Sequence, residues 1–152
     1  MILLLQRVNS ASVSVDDNCI AAIGAGILVL CGFERGDDAD MLPRMCERLL
    51  NYRLFSDTDG KMNLSVKACA GELLLVPQFT LAADTGKGNR PGFSTAAAPR
   101  LGRALFVQFV EQVQARHAAT QCGRFGADMQ VALVNDGPVT FWLQQSPQSP
   151  DC

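Results

Sequence analysis

The stretch around Pro138 constrains the fold more than any other part of the chain. Two strongly apolar, strand-like runs within residues 131–143 meet at Asn135-Asp136-Gly137-Pro138. A tight hairpin favours Asn-Gly or Asp-Gly followed by a backbone hydrogen-bond donor, whereas proline has no N–H. X–Pro bonds are also the only common route to a cis peptide. The sequence therefore predicts a sharp turn that presents backbone carbonyls in an unusual direction, although a plain turn is the simpler interpretation of these residues alone.

Length and composition indicate one globular domain. The chain has 152 residues, of which 48% are hydrophobic and 18% charged. No apolar stretch reaches the roughly 18 residues that would span a membrane. The first apolar run precedes Arg7, the reverse of a secretory signal, so we expect a buried first strand and a cytoplasmic location. We expect the domain to cover residues 1–145 and the polar, proline-rich residues 146–152 to form a disordered tail.

The order of apolar patterns predicts an α+β fold with a compact, largely antiparallel sheet or barrel and two main helices. Residues 37–51 and 99–119 have helical spacing, and the second helix is expected to bury Leu101, Leu105, Phe109 and Val113. Strands are expected at residues 1–8, 11–15, 19–23, 27–33 and 72–78, and in the two runs around Pro138.

Metal and cofactor sites are not predicted. None of the six cysteines is spaced as C-x-x-C, and His117, the only histidine, lies near none of them in sequence. Neither G-x-G-x-x-G after a strand nor G-x-x-x-x-G-K-(S/T), the two glycine motifs that bind phosphates, occurs. Residues 87–90 form a basic loop that is only a weak sign of phosphate contact. A net charge of −2 argues against an extended grip on nucleic acid but leaves contact with one end of it possible.

The sequence contains few side chains that could act as a catalytic base or nucleophile. His117 falls at a helix end, where a solvated histidine is the simpler interpretation. Residues 76–81 place Pro77, Gln78, Phe79 and Thr80 directly after a buried strand, at the expected mouth of a pocket. Thr80 has no neighbouring base in sequence that would activate it as a nucleophile. The backbone N–H groups of residues 78–80 are suited instead to stabilising an oxyanion, and a kinked strand end without chemistry is an equal alternative.

Two motifs in the correct order and separation resemble the paired signature of D-aminoacyl-tRNA deacylases. They are Gln78-Phe-Thr-Leu81 and Asn135-Asp-Gly-Pro-Val-Thr140. The resemblance extends from the first strand to about residue 143 and includes Leu5-Gln-Arg-Val8, Tyr52-Arg-Leu-Phe-Ser-Asp57 and Gly123-Arg-Phe125.

The resemblance implies a homodimer with a barrel-like α+β fold. The implied activity is hydrolysis of the ester between a D-amino acid, or glycine, and the 3′-terminal adenosine of tRNA. Gly137 and Pro138 would form a cis-peptide gate, inserted into the partner subunit's site, that excludes L side chains. Arg7 would orient this gate, Asn135 belongs to its motif, and Gln78, Phe79 and Thr80 would line the pocket. A 2′-hydroxyl beside the ester would assist hydrolysis, with no cofactor.

Pro77 departs from the family pattern, which has serine at this position. A related group that acts on mischarged L-alanine has proline there, but it has alanine where this chain has Phe79, and its second motif differs. Pro77 removes one hydroxyl and one N–H from the pocket edge, which suggests relaxed chirality. The competing hypotheses are a deacylase that also accepts L-alanyl-tRNA, a non-enzymatic tRNA-end binding protein, a structural dimer module and, least supported, a metal hydrolase.

Overall fold

The computed structural model describes residues 1–147, which form eight strands and two helices. The strands are β1 (Ile2–Val15), β2 (Asn18–Ile23), β3 (Gly26–Gly32), β4 (Phe55–Ser56), β5 (Met62–Leu64), β6 (Glu72–Pro77), β7 (Thr120–Cys122) and β8 (Gln130–Gln144). The helices are α1 (Leu42–Asn51) and α2 (Pro99–Arg116), and 3-10 turns cover Ala39–Met41 and Phe79–Ala82. None of the described helices has the length and apolarity needed to cross a membrane. Of the predicted tail, residues 148–152 lie outside the described residues.

Six strands form a nearly closed, barrel-like sheet. Their order is β2-β1-β3-β6-β7, and β8 pairs with β1 outside this path. The three pairings of β1 are antiparallel, whereas β3–β6 and β6–β7 are parallel. Parallel neighbours need a long crossover, and here α1 and α2 lie in the two connections. The predicted α+β architecture with two main helices is confirmed. The sequence did not predict the parallel pairings, because local patterns do not distinguish a parallel strand from an antiparallel one.

The sharp turn predicted at Pro138 does not separate two strands, because both apolar runs belong to the single strand β8. Both halves of β8 pair with β1, from Ile2 opposite Gln144 to Ser14 opposite Gln130. The same holds for β1, which runs unbroken where the sequence suggested two shorter strands. Each long strand keeps the other extended, since reversing either one would leave half of its partner's backbone groups unpaired.

Helices α1 and α2 cover one face of the sheet. Leu49 of α1 and Phe109 of α2 are fully buried against Leu73 and Leu75 of β6 and their neighbours. The alternate β6 residues, Leu74 and Val76, join a second core with residues of β1 and β2. Strand β6 is therefore apolar on both faces, which explains its uninterrupted leucine run.

The helix limits differ slightly from the predicted ones. Helix α2 ends at Arg116, and Leu101, expected in the core, is 41% exposed. Asp38 caps the first 3-10 turn, since its side chain accepts a hydrogen bond from the Asp40 amide. Asp37 is buried and pairs with the N-terminal ammonium of Met1, with Oδ2 2.7 Å from the nitrogen.

Candidate active site

The strand end at Pro77 is built by close packing against β3. Cys31 is the last residue of β3 paired with β6, and its carbonyl accepts a hydrogen bond of 2.7 Å from the Gln78 amide. A 3-10 turn then carries residues 79–82 across Gly32. A Cβ atom at position 32 would lie 2.9 Å from Cβ of Leu81, so this approach requires glycine. The segment is thereby fixed by backbone contacts.

Two of the three predicted backbone donors are unoccupied. The Gln78 amide is committed to Cys31, whereas the Phe79 and Thr80 amides lie in the first turn of a 3-10 helix and donate to no atom of residues 1–147. The oxyanion prediction is therefore narrowed to Phe79 and Thr80. These two N–H groups remain available as hydrogen-bond donors.

The Thr80 hydroxyl has no base beside it among the described residues. Its recorded partner is the side-chain amide of Gln78, which donates from Nε2 to Oγ1. A carboxamide does not accept a proton at neutral pH, whichever of its atoms faces the hydroxyl. His117 is the C-cap residue of α2, and its backbone amide donates to the Val113 carbonyl. Its side-chain Nε2 lies 2.7 Å from the carbonyl oxygen of Gly71, and the residue does not line the cleft described next.

An apolar cleft of about 440 Å³ opens beside Pro77, Gln78 and Phe79. Its walls come from the end of β3, the start of α2, residues 125–129 and Val131 of β8. The ring of Phe79 is 57% exposed and packs on Phe93, with ring centroids 5.1 Å apart. This volume and lining suit a small ligand with one flat, stackable part.

The cleft offers no ready thiolate. Cys31 lies in its lining, but complete burial, reinforced by Cys122, raises the pKa of the Cys31 thiol far above its ordinary range. Burial likewise raises the pKa of Cys122. A buried neutral thiol packs as a small apolar group.

Residues 136–139 form a projection from β8, which we call the bulge. Gln6 pairs with Thr140 and Val8 pairs with Asn135, so these four residues face the single residue Arg7. The Gly137–Pro138 peptide is cis, and both residues are exposed.

Polar contacts close the base of the bulge. The Asn135 side chain accepts a 2.9 Å hydrogen bond from the Val139 amide and donates a 3.0 Å hydrogen bond to the Thr140 hydroxyl. Arg7 lies 3.1 Å from the Asp136 carboxylate through Nε and donates from Nη1 to the Leu54 carbonyl at 2.8 Å. The bulge is therefore held by these polar contacts and by Val139, which is buried in the main core, whereas Gly137 and Pro138 at its tip are exposed.

Gly137 can only be glycine in this geometry. Its φ of +128° is rarely adopted by L residues, and a Cβ atom would lie 2.7 Å from Cγ2 of Val139 and 3.2 Å from an Arg7 guanidinium nitrogen.

The predicted site residues fall into two groups on one chain. Pro77, Gln78 and Phe79 line the cleft, with Thr80 directly after them. Gly137 and Pro138 lie in the bulge, Arg7 and Asn135 hold its base, and none of these four lines the cleft. Sequence reasoning missed much of the cleft wall, including Phe33, Gly102, Phe125 and Met129. Of these, only Phe125 belongs to a segment that resembles the family. The sequence around the other three does not indicate that they line a site, because they come from separate parts of the chain.

Comparisons with known proteins agree with one another. A family model described as D-Tyr-tRNA(Tyr) deacylase matches residues 4–144. The chain is 59% identical over 144 residues to a D-aminoacyl-tRNA deacylase of Enterobacter sp. (strain 638), covering 95% of this chain and 99% of the relative. A D-aminoacyl-tRNA deacylase of Salmonella newport is 58% identical with the same coverage.

Solved structures match the fold over the same extent. One described as c-Myc DNA Unwinding Element Binding Protein has a TM-score of 0.91 and 40% identity, covering 96% of this chain and 99% of the other. A probable eukaryotic D-amino acid tRNA deacylase has a TM-score of 0.82 at 20% identity, covering 93% and 97%, and supports the fold alone.

Proposed function

This chain belongs to the D-Tyr-tRNA(Tyr) deacylase family, and on that premise we propose that it hydrolyses the ester of D-aminoacyl-tRNA and of glycyl-tRNA. The observation that carries the proposal is the 59% identity over 99% of a curated D-aminoacyl-tRNA deacylase. The enzyme is a hydrolase that deacylates tRNA, and a cytoplasmic location accords with such a substrate.

The cleft is proposed to bind the 3′-terminal adenosine. Its volume of about 440 Å³ fits a nucleoside, and the exposed Phe79 ring offers a face for the adenine. In that placement the ester lies near the unoccupied amides of Phe79 and Thr80, which stabilise the oxyanion formed when water attacks the carbonyl carbon.

Hydrolysis is proposed to depend on the RNA rather than on a side-chain base. The free 2′-hydroxyl beside the ester assists the attack of water, and the products are the free amino acid and tRNA with its 3′-hydroxyl restored. The lack of a base at Thr80 among the described residues supports this over a covalent threonine intermediate. A substrate ending in 2′-deoxyadenosine would be cleaved slowly, and normal cleavage of it would refute the RNA-assisted route.

Gly137 and Pro138 are proposed as the chiral gate. Their exposed backbone, held from below by Arg7 and Asn135, suits a rigid surface that takes the substrate ammonium on its carbonyls and excludes an L side chain by steric clash. Glycine has no side chain to exclude, which is why glycyl-tRNA is included among the substrates.

The gate is proposed to act in the cleft of a second subunit of a homodimer. Strand β8 pairs with β1 alone among the described strands, and Val134 and Trp142 on it are 55% and 50% exposed. Exposed apolar side chains on a long edge strand favour association with a second copy.

The test is a deacylation assay of the purified protein on D-Tyr-tRNA, L-Tyr-tRNA and Gly-tRNA. The proposal predicts release of D-tyrosine and glycine but not of L-tyrosine. Binding of tRNA without release of any amino acid would favour the alternative of a non-enzymatic binding protein. One structural relative has a name that describes DNA binding and no enzymatic activity. Release of L-alanine from L-Ala-tRNA would support the relaxed chirality suggested by Pro77, and an unchanged ratio of D to L rates in Pro77→Ser would refute it.

A further inference from the structure

The segment that supplies one wall of the cleft is richer in positive charge than the chain as a whole. Residues 85–127 contain six Lys or Arg residues and one carboxylate, Glu111, although the whole chain has a net charge of −2. This segment supplies one wall of the cleft, including the start of α2 and the residues after β7. Such local asymmetry is the electrostatic pattern of a surface that meets phosphates.

A second cavity of about 300 Å³ adjoins the cleft and shares Phe125 with it. Its floor is apolar, formed by Phe106, Val110 and Cys122, and the exposed side chains of Arg103, Arg124 and Glu111 lie at its edge. A groove with an apolar floor and two arginines against one carboxylate at its edge suits a nucleotide, whose base stacks while its phosphate pairs with arginine.

Arg103 stands at the wall that separates the two cavities. Its guanidinium lies 5.4 Å from the centroid of the Phe125 ring and donates from Nη2 to the Phe125 carbonyl at 3.4 Å. These contacts hold the side chain in place while leaving other N–H groups of the fork available. No carboxylate lies within 4.0 Å of Arg103 or Arg124 among residues 1–147, and Glu111 is two turns of α2 away from Arg103.

We infer that Arg103 and Arg124 bind the phosphates of the tRNA 3′ end that precede the terminal adenosine, and that the second cavity receives the penultimate nucleotide. This inference rests on the proposed function, since it takes the terminal adenosine to occupy the cleft. The phosphate that joins the last two nucleotides then crosses the wall where Arg103 lies, and Arg124 meets the next phosphate along the strand.

The experiment compares two substrates that differ only in these phosphates. Wild type, Arg103→Gln, Arg124→Gln and the double variant are assayed on D-Tyr-tRNA and on 3′-O-D-tyrosyl-adenosine, which has no phosphate. Arg44→Gln is the matched control, because it removes the same charge at a position far from the cleft. Arg44 follows Pro43, whose carbonyl accepts a hydrogen bond from Arg116 at the C-terminal end of α2, whereas the cleft lies at the start of that helix.

Each arginine substitution is expected to lower kcat/KM on D-Tyr-tRNA about three- to tenfold and to leave the adenosine substrate unaffected. The slope of log kcat/KM against log salt concentration should fall by about 0.7 for each lost contact with a single strand. The control should match wild type on both substrates, and all variants should keep the wild-type Tm because these side chains are exposed.

Three outcomes would overturn the inference. Equal losses on both substrates would place the arginines at the aminoacyl-adenosine itself. Unchanged rates and salt slope on D-Tyr-tRNA would show that neither arginine meets a phosphate. If the wild-type protein hydrolysed neither substrate, both the proposed function and this inference would fail. That result is distinguishable from the first two, in which the wild-type protein is active.

Discussion

The cleft and the bulge are held in place by different kinds of interaction. The cleft is bounded by several elements of the fold, and its shape follows from the packing of β3, β6 and α2. The bulge is one short projection from β8 that depends on Arg7, Asn135 and the absence of a side chain at Gly137. Packing spreads the effect of a substitution over many contacts, whereas the exposed tip of the bulge, anchored at Val139, depends on a few polar contacts at its base. The cleft should therefore tolerate single changes that the bulge does not.

The largest effect is expected from Gly137→Ala. The new Cβ atom would lie 2.7 Å from Cγ2 of Val139, at a φ of +128°, so the tip of the bulge must move. Displacing a positioning group by about 1 Å costs roughly a hundredfold in rate, and we expect a loss of that order for D-Tyr-tRNA deacylation. Gly60→Ala is the control, since Gly60 also has a positive φ, of +75°, but has nothing within 4 Å. Equal activity of the two variants would refute the role of the bulge.

Arg7→Lys should cost about tenfold in kcat/KM for D-Tyr-tRNA. A lysine cannot bridge the Asp136 carboxylate and the Leu54 carbonyl at once as the guanidinium does. Arg53→Lys, at an exposed arginine that donates to Asn63, is the control and should behave as wild type. Retention of full activity in Arg7→Lys would mean that charge alone holds the bulge.

A smaller effect is expected in the cleft from Phe79→Ala. Loss of the exposed ring removes a stacking surface, for which about 1–3 kcal/mol per base is typical, so KM should rise about fivefold or more while kcat changes little. Phe79→Tyr keeps the ring and should restore the KM. A fall in kcat with unchanged KM would place Phe79 in the chemical step and not in adenosine binding.

The smallest effect is expected from Thr80→Ala. Its backbone amide is retained, so single-turnover deacylation should stay within about threefold of wild type. Thr80→Pro removes that N–H as well and should be far slower, because the oxyanion then loses one of two donors. Inactivity of Thr80→Ala would revive the covalent nucleophile that the geometry disfavours.

The fold class was predictable from the sequence because apolar periodicity reports burial directly. The strand at residues 72–77 and the buried positions Leu105, Phe109 and Val113 of α2 followed from it. Continuity of strands was not predictable, since Asn135–Pro138 has the local chemistry of a turn. Only pairing with β1, more than a hundred residues away in sequence, keeps the two halves of β8 in one strand on either side of that point.

The candidate site was predictable only where residues are consecutive in sequence. Residues 77–80 and 135–138 stood out as motifs. Phe33, Gly102 and Met129 reach the cleft from three separate elements, and nothing in their own sequence neighbourhoods indicates it. The engagement of the Gln78 amide by Cys31 likewise depends on the parallel pairing of β3 with β6.

Subunit complementation tests most directly whether the bulge of one chain serves the cleft of another. Gly137→Ala is co-expressed with Ala97→Trp, which fills the cleft, and the mixed dimer is purified through two different C-terminal tags because the Met1 ammonium is buried. Each variant alone should be nearly inactive. The mixed dimer holds one site with an intact cleft and an intact bulge, so the account predicts about half of the wild-type rate on D-Tyr-tRNA. A mixed dimer as inactive as its parents would contradict it.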